Sequence, residues 1–333
     1  MAPLRHMKPW RCITFAVLFC LLLGNCEEAL ESAGRPADSK PYVITATTGM
    51  VADLVRQVAG DRARVDGIIP EGVDPHLYAA TTNDVKALRN GDVIFYNGLN
   101  LEGKMAGVLA KMAVRKPVCA LAEVIDGVGE YSIKASGNEV DPHIWMDVAG
   151  WMRALEVVSN TLEDYDPSFG SYYRERADSY LGTLRRLDDY VREVLLSIPA
   201  DQRVLVTAHD AFGYMARAYG LEVHGVQGLS TEAKPSLRDI ELLVDFLVAR
   251  KIPAVFVESS VSRKSVEALI EGAGARGHKV VVGGQLFSDS MGAAGTYEGT
   301  YVGMIDHNVN TIALALGGVV PRGGFREWSE RKP

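Results

Sequence analysis

Short β-branched runs alternate with helical patterns along almost the whole chain, which restricts it to βαβ units wound onto parallel sheets. In the first half the expected strands are Tyr42–Thr47, Ala63–Ile69, Asp92–Asn97 and Pro117–Leu121, with helices at Met50–Ala59, Thr82–Arg89 and Glu102–Val114. In the second half the strands are Arg203–Ala208, Glu222–Gln227, Ala254–Glu258 and Lys279–Gly283. The helices there are Phe212–Tyr219, Ser236–Arg250, Ser262–Ala275 and a last one near Val302–Leu316. A different pattern separates the halves. From Pro167 to Ile198 Tyr172, Tyr173, Leu181, Leu184, Leu187, Tyr190, Val191 and Leu195 recur at helical spacing, and Asp166-Pro167 is a start signal. About thirty residues at ~1.5 Å each make a rod of ~45 Å, long enough to serve both halves. Its apolar positions drift around the face without a strict heptad, so it reads as a strut within one chain rather than a dimer seam. The expected fold is therefore α/β: two (β/α)4 lobes with parallel sheets, residues 41–165 and 199–318, joined by one long helix over 166–198. Residues 319–333 read as a solvated tail.

The N-terminus decides where these lobes work. Arg5, Lys8 and Arg11 precede an uncharged apolar run, Cys12–Leu23, too short to span a bilayer stably, so residues 1–25 read as an export signal. The stretch Leu23-Gly24-Asn25-Cys26 resembles the processing site of bacterial lipoproteins, with Asn25 where Gly or Ala is usual. Cleavage there would leave Cys26 for acylation, and the polar residues 26–40 as a flexible tether. The expected location is periplasmic or at the cell surface, held to the membrane by lipidated Cys26. Of four cysteines, Cys12 and Cys20 leave with the signal. Cys119, in an apolar run, reads as a buried structural residue, so no disulfide framework or cysteine metal cluster is expected. The formal charge of −7 becomes −10 once the three basic signal residues are gone. That acidity argues against nucleic acid and is compatible with a cationic ligand.

The histidines carry the chemistry. Two of the seven sit in the same tripeptide, Asp74-Pro75-His76 and Asp141-Pro142-His143, in loops of the first lobe. Proline fixes its own φ and pushes the preceding residue toward extended geometry, so each imidazole leaves a stiff backbone, as a metal ligand requires. His209 follows the first strand of the second lobe and Asp289 follows the last, both at carboxyl ends, where parallel sheets bind their ligands. Two groups from each lobe would close one site across a cleft. Three imidazoles and a carboxylate suit Zn²⁺, and imidazole also suits Fe, Co, Ni and Cu, while Mn²⁺ ordinarily prefers more oxygen. Protons would compete for such a site as pH falls through about 6.5. Asp210 and Glu258 are candidates for orienting the imidazoles from behind. His6 leaves with the signal, and His224, His278 and His307 read as surface or capping residues.

Taken together, several segments give the chain a family resemblance from Pro41 to Leu316. They are Gly72–Tyr78, Tyr96–Leu99, Asp141–Trp145, Thr207–Tyr214, Val257–Ser260 and Gly295–Tyr301. The chain resembles the zinc/manganese-type, TroA-like, solute-binding proteins of bacterial ABC importers. The resemblance implies a two-lobed fold joined by one helix, with His76, His143, His209 and Asp289 as ligands of one divalent ion. It also implies a membrane permease with a cytoplasmic ATPase as partner, a monomeric receptor and no catalysis. His209 stands where the manganese branch commonly has Glu, which leans toward zinc. The stretch Glu123–Val140 lacks the His-rich loop common in the high-affinity zinc branch, which leaves manganese and iron in play. The rival readings are a zinc hydrolase, which would need an open coordination position and a general base, and a surface adhesin with a structural metal. No Gly-x-Ser-x-Gly or His-Glu-x-x-His segment is present.

Overall fold

The computed structural model describes residues 41–125, 131–134 and 139–331. Residues 1–40, with the export signal, Cys26 and the tether, lie outside the described residues. The first half forms β1 (Tyr42–Ala46), α1 (Gly49–Ala59), β2 (Ala63–Gly67), α2 (Thr82–Asn90), β3 (Val93–Tyr96), α3 (Ala106–Ala113), β4 (Val118–Ala120) and the short α4 (Leu121–Ile125). Its strands pair in parallel in the order β2-β1-β3-β4. The second half forms β5 (Val204–His209), α7 (Gly213–Tyr219), β6 (Glu222–Gln227), α8 (Leu237–Arg250), β7 (Ala254–Glu258), α9 (Lys264–Ala275), β8 (Val281–Leu286) and α10 (Tyr301–Ala315). Here two parallel pairs, β5–β6 and β7–β8, replace the expected continuous sheet, with β5 lying alongside β7. Each half thus runs 2-1-3-4 and has its switch point between its first and third strands.

Between the halves stand α5 (Val148–Tyr165) and α6 (Gly170–Leu196). The alternation-based expectation omits α5, although Trp151, Ala154, Leu155, Val158 and Leu162 mark its buried face at helical spacing. The long helix begins three residues later than Pro167, after a single 3₁₀ turn, Pro167–Phe169. Asp166 caps nothing there: its buried carboxylate is drawn instead to Arg62 (3.1 Å) and the Tyr173 hydroxyl (2.9 Å). Asp147 does cap α5, accepting from the Ala149 amide at 3.0 Å.

Three other expectations are corrected. The strand expected at Lys279–Gly283 runs on through Gly283 and Gly284 to Leu286. Glycines usually weaken strands, but a Cβ on Gly283 would stand 2.8 Å from the Phe256 ring and 2.9 Å from Ala315, so close packing of β7 and α10 requires glycine there. The tail is not merely solvated. Residues 324–331 form α11 (Gly324–Arg331), which buries Phe325 and Trp328 against Tyr190 of α6, the ring centroids 5.6 and 5.3 Å from that tyrosine. Cys119 is half-buried at the core's margin rather than inside it.

One hydrophobic core spans both lobes, gathering side chains of α1, α5, α6 and α10. At its centre Trp151 stacks on Tyr301 at 5.3 Å, the Tyr301 hydroxyl donates to the Trp145 carbonyl (2.8 Å), and the Trp145 indole donates to the Ser288 carbonyl (2.9 Å). The lobes are therefore welded by packing as well as by the strut, and α6 has no proline in its interior at which to bend. Metal binding is expected to leave the inter-lobe angle nearly unchanged. Scattering or spin-label distances on metal-free and loaded protein check this, and a rotation of about 20° or more, the scale of hinge closure, would overturn it.

Candidate metal centre

The carboxyl ends of the strands converge on one buried cluster. Each Asp-Pro-His tripeptide folds by the same local bond, in which the aspartate accepts the backbone amide of its own histidine: Asp74 from His76 at 2.8 Å, Asp141 from His143 at 2.9 Å. The second carboxylate contacts then diverge. Asp141 Oδ1 also meets His143 Nδ1 at 2.7 Å, so it sets both the peptide and the ring. The other oxygen of Asp74 accepts the Thr231 hydroxyl, which belongs to the second lobe. The His76 loop is further held across the cleft by the Gly72 amide on Ser290 Oγ (2.6 Å) and the Ala294 amide on Glu71 (2.9 Å).

His209 is the last residue of β5 and Glu258 the last of the neighbouring β7, so the switch point of the second lobe places them side by side. Glu258 accepts the His209 amide at 2.9 Å and meets its Nδ1 at 2.5 Å. With Nδ1 of His143 and His209 facing carboxylates, each ring in its neutral, ion-binding form carries its hydrogen there and offers Nε2 to the centre. Asp289 faces all three: Oδ1 is 3.4 Å from His143 Nε2, while Oδ2 is 3.1 Å from His209 Nε2 and 3.7 Å from His76 Nε2. One donor atom from each of His76, His143, His209 and Asp289 lies within 4.8 Å of the others, and all four residues are buried.

Electrostatics follow from this burial. At His76 the loss of solvent prevails and lowers the imidazole to about 4. Burial would depress His143 too, but the Asp141 and Asp289 carboxylates outweigh it and raise the ring to about 9. At His209 burial is overcome by Asp289 and Glu258, and the ring is held well above the ordinary range. Asp289, which burial would raise, is instead held well below the usual carboxylate range by His209 and His143. Both Asp289 oxygens and His209 Nε2 nonetheless lack a well-formed hydrogen bond. A buried carboxylate whose neighbours are imidazole nitrogens poorly aligned to donate is costly. A cation shared with three imidazole nitrogens resolves that cost, so the chemistry of the cluster fits one transition-metal ion.

The structure thus brings together the four residues singled out in the sequence and puts Glu258 behind His209. Among the described residues no hydrogen bond joins Asp210 to His76, His143 or His209. On the first-lobe side the carboxylate that meets a ring is Asp141, whose signal was its place in the tripeptide itself. His224 pairs with Glu222 (2.8 Å), while His278 and His307 bond the carbonyls of Ile252 (2.8 Å) and Gln285 (2.9 Å), all outside the cluster.

Comparison with known proteins agrees with this geometry. Residues 44–315 match the family described as ZnuA, zinc-uptake complex component A periplasmic. The zinc-binding protein TroA of Treponema pallidum is 46% identical over 304 residues, 91% of this chain and 98% of that protein. Its solved structure superposes with a TM-score of 0.81 at 47% identity, covering 83% of this chain and 99% of that one. The manganese-binding lipoprotein MntA of Bacillus subtilis is 45% identical over 302 residues, 90% of this chain and 97% of that one. The manganese ABC transporter substrate-binding lipoprotein PsaA of Streptococcus anginosus is 31% identical over 310 residues, 91% and 98% of the two chains. With the family matched over nearly all the described residues, and two-lobed relatives matched along almost their full length, the chain belongs to the ZnuA family of periplasmic metal-uptake components.

Proposed function

We propose that this protein is the extracytoplasmic receptor of an ABC importer, capturing one divalent transition-metal ion through His76, His143, His209 and Asp289 and delivering it to a membrane permease driven by a cytoplasmic ATPase. The observation that carries this reading is the buried convergence of three Nε2 atoms on a carboxylate that has no well-formed hydrogen bond. Zn²⁺ suits the donor set best, and Mn²⁺ and Fe²⁺ are the alternative cargoes left open by the missing His-rich loop. The names of the relatives span zinc and manganese. Capture is favoured over hydrolysis because the carboxylates next to the imidazoles, Asp141 and Glu258, are engaged with Nδ1 atoms and are not free to act as a base on bound water. Protein purified from its native host should carry close to one ion per chain. A strain lacking it should recover growth in metal-depleted medium with the parent gene and not with a His209→Ala copy. Recovery with both would sink the import reading.

The receptor is read as a monomer tethered by acylated Cys26, in keeping with the lipoprotein names of two relatives. No helix among the described residues is long and apolar enough to cross a membrane, so the tether would supply the attachment. The parent should partition into the detergent phase and Cys26→Ala should be released into the aqueous phase or remain unprocessed. Equal partitioning of the two would exclude the anchor.

A further inference from the structure

Neither metal capture nor core packing accounts for the turn that follows β3. Gly98, Leu99 and Asn100 have φ of 87°, 50° and 63°, three successive residues in the left-handed region, two of them with side chains. Such a conformation has to be imposed. Glu102 imposes it: Oε1 accepts the Asn97 amide (2.8 Å) and the Thr47 hydroxyl (2.6 Å), and Oε2 accepts the Gly98 amide (3.1 Å). The residue is 2% exposed, and no lysine, arginine or histidine pairs with its carboxylate among the described residues. Thr47 and Asn97 follow β1 and β3, so this knot sits at the switch point of the first lobe, as His209 and Glu258 sit at that of the second.

The knot holds the backbone of Asn97 and so places its side-chain amide. That fully buried amide donates from Nδ2 to the Gly98 carbonyl (3.1 Å) and the Pro142 carbonyl (2.9 Å). Pro142 immediately precedes His143. His143 is therefore held twice, by Asp141 on its ring and by Asn97 on the peptide that carries it. The same turn lends Leu99 and Asn100 to the wall of a cavity of about 380 Å³ that His76 and Pro142 also line.

We propose that Asn97, locked by Glu102, is a positioning residue that sets where His143 Nε2 stands, and so tunes metal geometry and release without touching the ion. This rests on the receptor reading above. The Pro142 carbonyl accepts both this Nδ2–H and the Ile144 amide (2.9 Å each), so the group that Asn97 sets against it has to be a donor. Asn97→Asp keeps the shape but sets a carboxylate oxygen against the Pro142 carbonyl, and the repulsion passes through a stiff proline backbone to His143. Glu102→Gln sets an amide N–H against a backbone donor and loosens the knot.

Co²⁺ tests this with the full chain, its visible absorption reporting coordination geometry and a chelator chase reporting release. Asn97→Asp and Glu102→Gln are expected to fold when metal-free, shift the Co²⁺ band and release the ion at least tenfold faster than the parent. Tyr42→Phe removes a buried hydroxyl that meets Tyr173 at the far end of β1 (3.0 Å), and it should change stability without moving either readout. If Asn97→Asp does not fold, Asn97→Ser, too short to reach Pro142, tests the same contact in its place. Parental band and release in these variants, while His143→Ala loses Co²⁺, would overturn this inference and leave the receptor reading standing. A parent that does not take up Co²⁺, or a His143→Ala protein that binds like it, would overturn both.

Discussion

Replacing His143 or His209 with alanine is expected to weaken Zn²⁺ binding at least about a hundredfold, or ~2.7 kcal/mol, and His76→Ala is expected to cost less, though at least about tenfold. The ranking comes from what stands behind each ring. His143 and His209 are fully buried, each backed by a carboxylate that orients Nε2 and raises its basicity as a donor. His76 has its peptide tied to Asp74 but, among the described residues, no carboxylate on its Nδ1, and it borders the cavity at the cleft. Loss of His209 also strands the buried Glu258, so metal-free stability has to be measured beside affinity to separate the two effects. Titration against a chromophoric chelator gives the ranking directly. If none of the variants differs from the parent, the ion binds elsewhere.

The second large effect is pH. In the metal-free protein the carboxylate neighbours raise His143 to about 9 and hold His209 well above its ordinary value, whereas burial lowers His76 to about 4. An arriving ion has to displace two protons. Affinity is therefore expected to fall about hundredfold per pH unit between about pH 8 and pH 5, with a third proton joining only toward pH 4, the value of His76. Ordinary histidines would have confined the steep region to below about 6.5. Stability of the metal-free fold should run the other way. A raised histidine pKa contributes stability that is fully present below the unfolded value of about 6.5 and is lost as pH rises through about 9 at His143. Metal-free protein should thus melt lower at alkaline pH while the zinc-loaded form gains. Calorimetry in buffers of different ionisation enthalpy should count close to two protons released per ion at pH 7. A count near zero would show that the imidazoles are already bare and would refute this account.

Periodicity in the sequence located most strands and helices, because a βα unit buries its faces locally. The repeated Asp-Pro-His tripeptide announced two members of the cluster, since its stiffness is written in three adjacent residues. His209 and Asp289 were legible through their place at strand ends. What stayed hidden depended on contacts between distant segments. Asp210 and Glu258 both stood as candidates for orienting the imidazoles, and only folding shows that Glu258, 49 residues from His209, meets that ring. Asp166-Pro167 marked where the long helix starts, but not that Arg62 and Tyr173 would claim the Asp166 carboxylate. Phe325 and Trp328 gave the tail the means to pack, but the partner they find, Tyr190, is more than a hundred residues away.

The Trp151–Tyr301 stack bears on the order in which the chain can become itself. Tyr301 lies near the end of the sequence, yet its ring and hydroxyl complete the core around Trp145 and Trp151, both in the first half. Contacts of such long sequence separation form late, after the entropy of closing a large loop has been met. A nascent chain lacking its last segments would leave the first lobe's aromatic centre uncovered, and such exposed surface makes a partly folded chain prone to aggregate. A polypeptide that has to cross a membrane before working benefits from that delay: it cannot lock into its native form until its far end has followed.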